Sequence, residues 1–314
     1  MLILQQMLVL FFVMLVGFFM QKKGILNDDM SQKISWMVVN IANPAMILSS
    51  VSGDNQIESQ ELIITIIISL SMFLSLMILA IWIPMLFNVK RTQYGVYRVM
   101  TVFSNIGFMG FPIISALYGK EALFYASLFV LPYNILIYTY GILCLSSKTE
   151  NKKIESKKAN LLIDSLKKIG NIGVLASLAA LVLYFGNIRL PEMFSQVFDM
   201  FADLTAPLSM MVIGASFGSM SFKDMLTDIR LLIFSIVKLL ILPILGMWIL
   251  TKFIENPMLL GVCLVMLATP VGSMTAMLAQ QYECDKDLAS RGVALTTLLS
   301  VVTIPIVAAV CKLF

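Results

Sequence analysis

Long runs of apolar residues dominate this sequence, and each run has about the length of a membrane-spanning helix. A helix needs about 20 consecutive, mostly apolar residues to cross the hydrocarbon core of a bilayer. Because lipid offers no hydrogen-bond partners, a spanning segment must pair its backbone groups internally, as a helix does. Only 13% of the residues are charged, compared with about 25% in soluble domains. We therefore expect an all-α integral membrane protein.

The apolar runs predict ten transmembrane helices, numbered here 1 to 10. Their predicted bounds are 4–21, 33–51, 61–87, 97–117, 121–146, 167–186, 193–218, 229–251, 258–280 and 288–312. We do not interpret the first run as a signal peptide, because no Lys or Arg precedes it and Lys22 and Lys23 follow it.

The basic residues predict how these helices are oriented. The odd-numbered loops hold 17 Lys and Arg residues, whereas the even-numbered loops and the termini hold only 4. Loops rich in Lys and Arg remain on the cytoplasmic side. The sequence therefore predicts cytoplasmic odd loops, with both termini extracellular or periplasmic.

A basic segment separates the two halves of the chain. We interpret residues 147–166 as a solvated cytoplasmic linker that sets the topology, although such a segment also suits lipid headgroups or nucleic acid. The chain has no histidine, which excludes HExxH metal sites and histidine-based triads. Its four cysteines show no metal-ligand spacing. No nucleic-acid partner, metal or cofactor is expected.

Four landmarks recur in the same order in both halves of the sequence. Asn43-Pro44 matches Ala206-Pro207, Pro84 matches Pro243, Pro112 matches Pro270, and Lys120-Glu121 matches Lys286-Asp287. Five helices per half is an odd number, so the second half must enter the membrane from the opposite side. The pattern predicts a first five-helix repeat over 1–146 and an inverted repeat over 167–314, an arrangement typical of secondary transporters. Ten unrelated helices with ordinary kinks are the alternative.

One matched pair of landmarks predicts broken helices. Pro112 in helix 4 and Pro270 in helix 9 each lack an amide hydrogen, and each ring clashes with the carbonyl four residues earlier. We expect the two breaks to cross near the bilayer midplane and to offer half-helix N-termini to an anion. The predicted substrate-binding residues at the breaks are Asn105, Gly107, Gly110, Pro112, Thr269, Pro270, Gly272 and Ser273.

Six segments along the chain resemble the auxin efflux carrier family, in its bacterial permease branch. They read MLVGFFMQKKGIL, VVNIANPAMILSSV, FSNIGFMGFPI, LTAPLSMMVIGASF, ATPVGSMTAMLAQQY and LASRGVALTTLLSVVTIPI. The resemblance implies a ten-helix fold like that of sodium/proton antiporters, with a scaffold domain, a mobile transport domain and crossed helices 4 and 9. It also implies transport of organic anions, which are auxins in plant members and malate- or malonate-like carboxylates in several bacterial ones.

Four further polar residues lie inside the predicted helices. Asn43 beside Pro44 and Asn134 in helix 5 either bind substrate or join neighbouring helices through hydrogen bonds. Asp203 in helix 7 and Lys238 in helix 8 are charge or coupling candidates, because a charged residue at the centre of a membrane helix costs about 2.5–3.5 kcal/mol on insertion scales. Lys238 either pairs with Asp203, attracts an anion, or extends its ammonium to the membrane surface.

Together these features predict a secondary transporter of the plasma membrane that moves a small organic anion by alternating access. A passive anion channel and a non-transporting membrane sensor are the alternatives. An enzyme is not expected, because the one plausible catalytic pair, Asp199 and Asp203, lies on a single helix near one membrane surface. The expected partners are the anion and the lipid bilayer, and the sequence leaves open whether the protein forms a homodimer.

Overall fold

The computed structural model describes residues 2–51, 59–146, 172–186, 188–218, 228–282 and 284–311. Within these ranges all regular secondary structure is helical, and Ser104 and Val271 form an isolated antiparallel bridge. We group the helical elements of these ranges into ten stretches, α1 to α10. The predicted linker 147–166 lies outside the described residues.

The first five stretches follow the predicted helices 1 to 5. α1 is Leu2–Lys22, and α2 comprises Asp28–Met37, the π-helical turn Val38–Ala42 and Asn43–Ser49. α3 is Ser59–Leu86. α4 divides into α4a, Tyr94–Val102, and α4b, formed by the π turn Ile106–Gly110 and the helix Phe111–Tyr118. α5 comprises Glu121–Leu136, the π turn Ile137–Gly141 and Ile142–Ser146.

The remaining five stretches follow the predicted helices 6 to 10. α6 is Ile172–Phe185, and α7 divides into α7a, Glu192–Asp203, and α7b, Thr205–Gly218. α8 comprises Ile229–Ile236, the π turn Val237–Ile241 and Leu242–Leu250. α9 divides into α9a, Pro257–Ala268, and α9b, Ser273–Gln281, and α10 is Lys286–Val310.

Five helical stretches within the described residues are long and apolar enough to cross a membrane. They are Gln60–Leu86, Glu121–Ser146, Glu192–Gly218, Ile229–Leu250 and Lys286–Val310. Shorter apolar helices occur at Leu8–Lys22, Ile106–Tyr118, Ile172–Phe185 and Pro257–Ala268. The all-α membrane class is therefore confirmed, while the crossing of all ten stretches and their inverted symmetry remain predictions.

The apolar surface of α3 shows why lipid is the solvent of this fold. One face of this helix exposes Ile63, Ile67, Leu70, Leu74, Ile78 and Trp82. A continuous apolar face of this kind is rare on soluble proteins. In a bilayer the same face meets hydrocarbon without cost, while the opposite face packs on α4a and α5.

Small residues let α1 and α7b approach each other closely. A methyl group on Gly17 would lie 2.1 Å from the Met211 carbonyl oxygen, and one on Gly214 would lie 1.8 Å from the Met14 carbonyl oxygen. Gly214 begins a GxxxG pattern that ends at Gly218, the pattern that brings membrane helices together through backbone contact. α7b also contacts the π turn of α4b, so this tightly packed pair lies beside the helix breaks.

Candidate transport site

The breaks in α4 and α9 meet and pair with each other. The Asn105 amide donates to the Pro270 carbonyl over 2.7 Å, and the Gly272 amide donates to the Phe103 carbonyl over 3.0 Å. The Val271 amide donates to the Thr296 hydroxyl of α10 over 3.1 Å. Extended backbone inside a membrane must have its polar groups satisfied by protein or water. Here each break supplies partners to the other, and we call this meeting point the crossover.

The break in α4 lies earlier in the sequence than its proline predicts. Backbone leaves the helix at Phe103 and re-enters it after Asn105, whereas the sequence placed the break at Pro112. Pro112 instead occupies the first turn of the helix Phe111–Tyr118, where a missing amide costs little. The wide π turn Ile106–Gly110 leads directly into that helix, so Pro112 leaves α4b uninterrupted.

The break in α9 lies at its predicted position. α9a ends at Ala268, Thr269 and Gly272 are extended, and α9b begins at Ser273. Pro270 lies within this extended segment and supplies the carbonyl that accepts from α4. Close packing favours glycine at position 272, because a methyl group there would lie 3.0 Å from the Ser104 carbonyl oxygen.

The predicted residues of α4b differ in what they contribute. The Asn105 side-chain oxygen accepts from the Phe108 amide over 3.2 Å, so it caps α4b. A methyl group on Gly107 would lie 3.1 Å from the Asn43 side-chain nitrogen, whereas one on Gly110 would make only ordinary contacts. Gly107 therefore faces α2, and Gly110 has no close neighbour to avoid.

Asn43 of α2 comes to the crossover, as its candidate role requires. It is 7% exposed, and its side-chain oxygen has no hydrogen-bond partner among the described residues. A buried polar atom without a partner costs free energy. Such an atom beside the N-terminal end of α4b is a candidate acceptor for a hydrogen-bond donor of a bound molecule.

Tyr133, which the sequence did not indicate, contacts the crossover from α5. Its ring packs edge-on against Phe103 with centroids 5.5 Å apart, and its hydroxyl would lie 3.2 Å from a methyl group on Gly272. The neighbouring candidate Asn134 is buried and donates to the Val130 carbonyl of its own helix over 2.9 Å. Helical periodicity separates these two neighbours, but it does not show which of them faces α9.

Lys238 also reaches the crossover, and it does so without Asp203. Its ammonium donates to the Thr101 carbonyl and to the Ser104 hydroxyl, both over 2.9 Å. Asp203 lies instead 3.9 Å from the Lys120 ammonium, with a side chain that is 73% exposed. The suggested pairing of Lys238 with Asp203 is therefore wrong, as is extension of the Lys238 ammonium to the surface, because Lys238 is 1% exposed.

An ion pair between Lys120 and Asp199 joins the turn between α4 and α5 to α7a. The Lys120 ammonium lies 2.8 Å from Asp199, and the Ser49 hydroxyl donates to the same carboxylate over 2.5 Å. The Lys120 and Asp199 side chains are partly exposed, so the ion pair contributes about 0–1 kcal/mol. Its interest is its position, since it links the end of α2, the end of α4 and the second half of the chain.

A small, mainly apolar cavity borders the crossover. It is lined by Met72, Phe73, Leu76, Val102, Ser104, Ile106, Phe129, Met266 and Leu267. Ser104 is the polar lining residue, and it is also the residue that Lys238 contacts. The fold and this site together define a multi-pass helical membrane protein with crossed, broken helices in its interior.

Comparison with known proteins identifies the family. The chain matches the membrane transport protein family over residues 2–308, and it belongs to that family, which confirms the predicted auxin efflux carrier membership. It is 22% identical to an uncharacterized transporter of Methanocaldococcus jannaschii over 95% of both chains. It is also 22% identical to an uncharacterized transporter of Methanothermobacter thermautotrophicus, over 94% of this chain and 93% of the other. The protein is thus a membrane transporter.

Proposed function

We propose that this protein moves a small organic anion, a carboxylate, across the plasma membrane by alternating access. The observation that carries the proposal is the crossover, where α4b and α9b both begin at one paired site. The first amides of a helix lack intrahelical partners and carry partial positive charge. Two such helix starts side by side favour a negatively charged group, as at the discontinuous helices of other transporters.

The buried charge supports an anion rather than a cation. Among the described residues, the buried set contains one charged side chain, Lys238, and no Asp or Glu. A cation brought to this interior would meet positive charge without a carboxylate to balance it. An anion would meet helix N-termini and a fixed ammonium, so its transfer from water would cost less.

The packing suggests how the site reaches both sides of the membrane. α1, α2, α6 and α7 pack together as one group, and α3, α4, α5, α8, α9 and α10 pack as another. The crossover belongs to the second group, and the Lys120–Asp199 ion pair joins the two groups. In our proposal the second group is the mobile transport domain, which moves against the first while the halves of the chain act as inverted repeats. Both termini are then extracellular or periplasmic.

Counterflow in proteoliposomes tests this proposal directly. Vesicles loaded with an unlabelled mono- or dicarboxylate should accumulate the same labelled compound transiently above its external concentration. A passive anion channel would equilibrate the label without this overshoot, and a non-transporting sensor would give no flux. Either result would contradict the proposed function.

Asn43→Ala measures whether the substrate contacts this part of the crossover. The Asn43 atom without a partner is the side-chain oxygen, which can accept only from a neutral donor of the substrate, such as a hydroxyl group, and not from its carboxylate. Such a hydrogen bond contributes about 0.5–1.5 kcal/mol, which corresponds to an affinity loss of about two- to tenfold. Asn40→Ala is the matched control, because Asn40 lies one turn earlier and donates to the Trp36 carbonyl of its own helix. Equal substrate affinity in both variants would remove Asn43 from the site.

A further inference from the structure

Lys238 is a buried cation without a carboxylate partner. It lies in the π turn Val237–Ile241 of α8 and is 1% exposed. The ion pairs of the described residues involve Lys33 and Lys120 and do not include Lys238. Its described partners are a carbonyl oxygen and a hydroxyl. An ammonium placed there at such a desolvation cost needs a reason in the surrounding structure.

The break in α4 provides that reason. In an uninterrupted helix the Thr101 carbonyl would accept from the amide of Asn105. Asn105 donates across the crossover to Pro270 instead, so the Thr101 carbonyl loses its helical donor. The Lys238 ammonium takes that place and also binds the hydroxyl of Ser104, the residue that bridges to Val271.

The end of α4a is also where a small cation would bind. The C-terminus of a helix carries about half a negative charge, and in secondary transporters half-helix C-termini and unwound carbonyls coordinate the coupling ion. The corresponding end of α9a has no cationic side chain among its described contacts, and the Thr269 hydroxyl donates there to the Met266 carbonyl. The two ends therefore differ in that α4a holds a tethered cation.

We propose that the Lys238 ammonium is a positioning residue that replaces a coupling cation at the C-terminus of α4a, so that carboxylate transport by this protein needs no sodium ion. This inference rests on the proposed carboxylate transport. The ammonium holds Thr101 and Ser104 in register with α9 and adds positive charge behind the helix starts that receive the anion. A mobile sodium ion would compete with it for the same carbonyl oxygen.

Counterflow with sodium replaced on both sides by N-methyl-D-glucamine tests the transport part of the proposal. We expect the parent protein to keep its rate. Lys238→Met should be about tenfold slower or more, and sodium or ammonium should restore part of its rate. Lys252→Met is the matched control, because Lys252 follows the same helix and its ammonium lies over the Trp248 ring at 3.8 Å; it should behave like the parent. A sodium-dependent parent, an unimpaired Lys238→Met, or a slow Lys238→Met that no cation restores would each overturn the proposal.

Thermal unfolding in detergent tests the same cation site without any substrate. The unfolding midpoint of Lys238→Met should rise when sodium or ammonium is added, whereas the midpoints of the parent and of Lys252→Met should not. If Lys238→Met cannot be purified, the parent protein alone still gives an answer. A rise of its unfolding midpoint with sodium contradicts the proposal that the Lys238 ammonium occupies the cation site, and a constant midpoint supports that proposal. If the vesicles move no carboxylate, the proposed function fails, while this measurement still decides whether Lys238 fills a cation site.

Discussion

At the scale of single residues, close backbone approach at the crossover depends on Gly272. A methyl group at this position would lie 3.0 Å from the Ser104 carbonyl oxygen and 3.2 Å from the Tyr133 hydroxyl. The Ser104 oxygen belongs to the paired backbone and cannot move without breaking the hydrogen bonds between the two helices. The side chain of residue 272 thus controls the spacing of α4 and α9.

Gly272→Ala should therefore impair transport, whereas Gly110→Ala should not. We expect Gly272→Ala to lower the stability by about 1–3 kcal/mol through overpacking and to reduce counterflow. At Gly110 the added methyl group would meet only ordinary contacts, and alanine favours the helix. Unfolding midpoints and counterflow rates of the two variants measure the difference. Similar behaviour of both would show that the crossover tolerates separation.

The two prolines make a second contrast at this scale. Pro112→Ala should change transport little, because Pro112 lies in the first turn of a helix that already continues past it. Pro270→Ala should have the larger effect, because Pro270 lies in the extended segment that pairs with Asn105, and alanine would let α9 extend its helix. Counterflow rates of the purified variants test the order. A larger effect of Pro112→Ala would restore the break to the position that the sequence predicted.

At the scale of helices, α1 and α7b touch through their backbones. Gly214→Ala would place a methyl group 1.8 Å from the Met14 carbonyl oxygen, and we expect a loss of about 1–3 kcal/mol or more in stability. Gly246→Ala is a suitable control, because its nearest neighbour is the end of the flexible Leu267 side chain at 2.7 Å. The fraction of monodisperse protein after heating distinguishes the variants. Equal heat resistance would show that α1 can shift away from α7b without cost.

At the scale of the whole molecule, the distribution of Lys and Arg predicts the orientation. Two variants of a cysteine-free protein test this orientation, one with a single cysteine in place of Ser156 and one with a single cysteine in place of Asn55. Both positions lie outside the described residues. Intact cells that express each variant are treated with a membrane-impermeant maleimide. We expect labelling at position 55 and none at position 156, because the basic residues between the halves remain cytoplasmic. Permeabilised cells, in which both positions should react, provide the control. Labelling at 156 alone would reverse the orientation and place the termini in the cytoplasm.

The sequence by itself determined the helical class, the approximate bounds of the helices and the pairing of helices 4 and 9. Apolar length determines the class and the approximate bounds. The matched prolines with neighbouring glycines indicated that helices 4 and 9 are both broken, although in α4 the unwound backbone precedes Pro112. The family followed from segments spread along the chain. Of the candidate residues, Asn105 and the α9 segment from Thr269 to Gly272 do lie at the crossover, and Asn43 lies beside it.

Only the tertiary structure decided where α4 breaks and what Lys238 contacts. The proline rule is local, but the break at Phe103–Asn105 exists because α9, more than 160 residues later, supplies partners for the freed backbone groups. Lys238 likewise bonds to residues 134 and 137 positions away, and Tyr133 rather than Asn134 faces Gly272. Hydrophobic periodicity shows that a side chain lies inside a membrane helix. Hydrophobic periodicity does not specify which residue that side chain contacts, because the contact depends on how the helices cross.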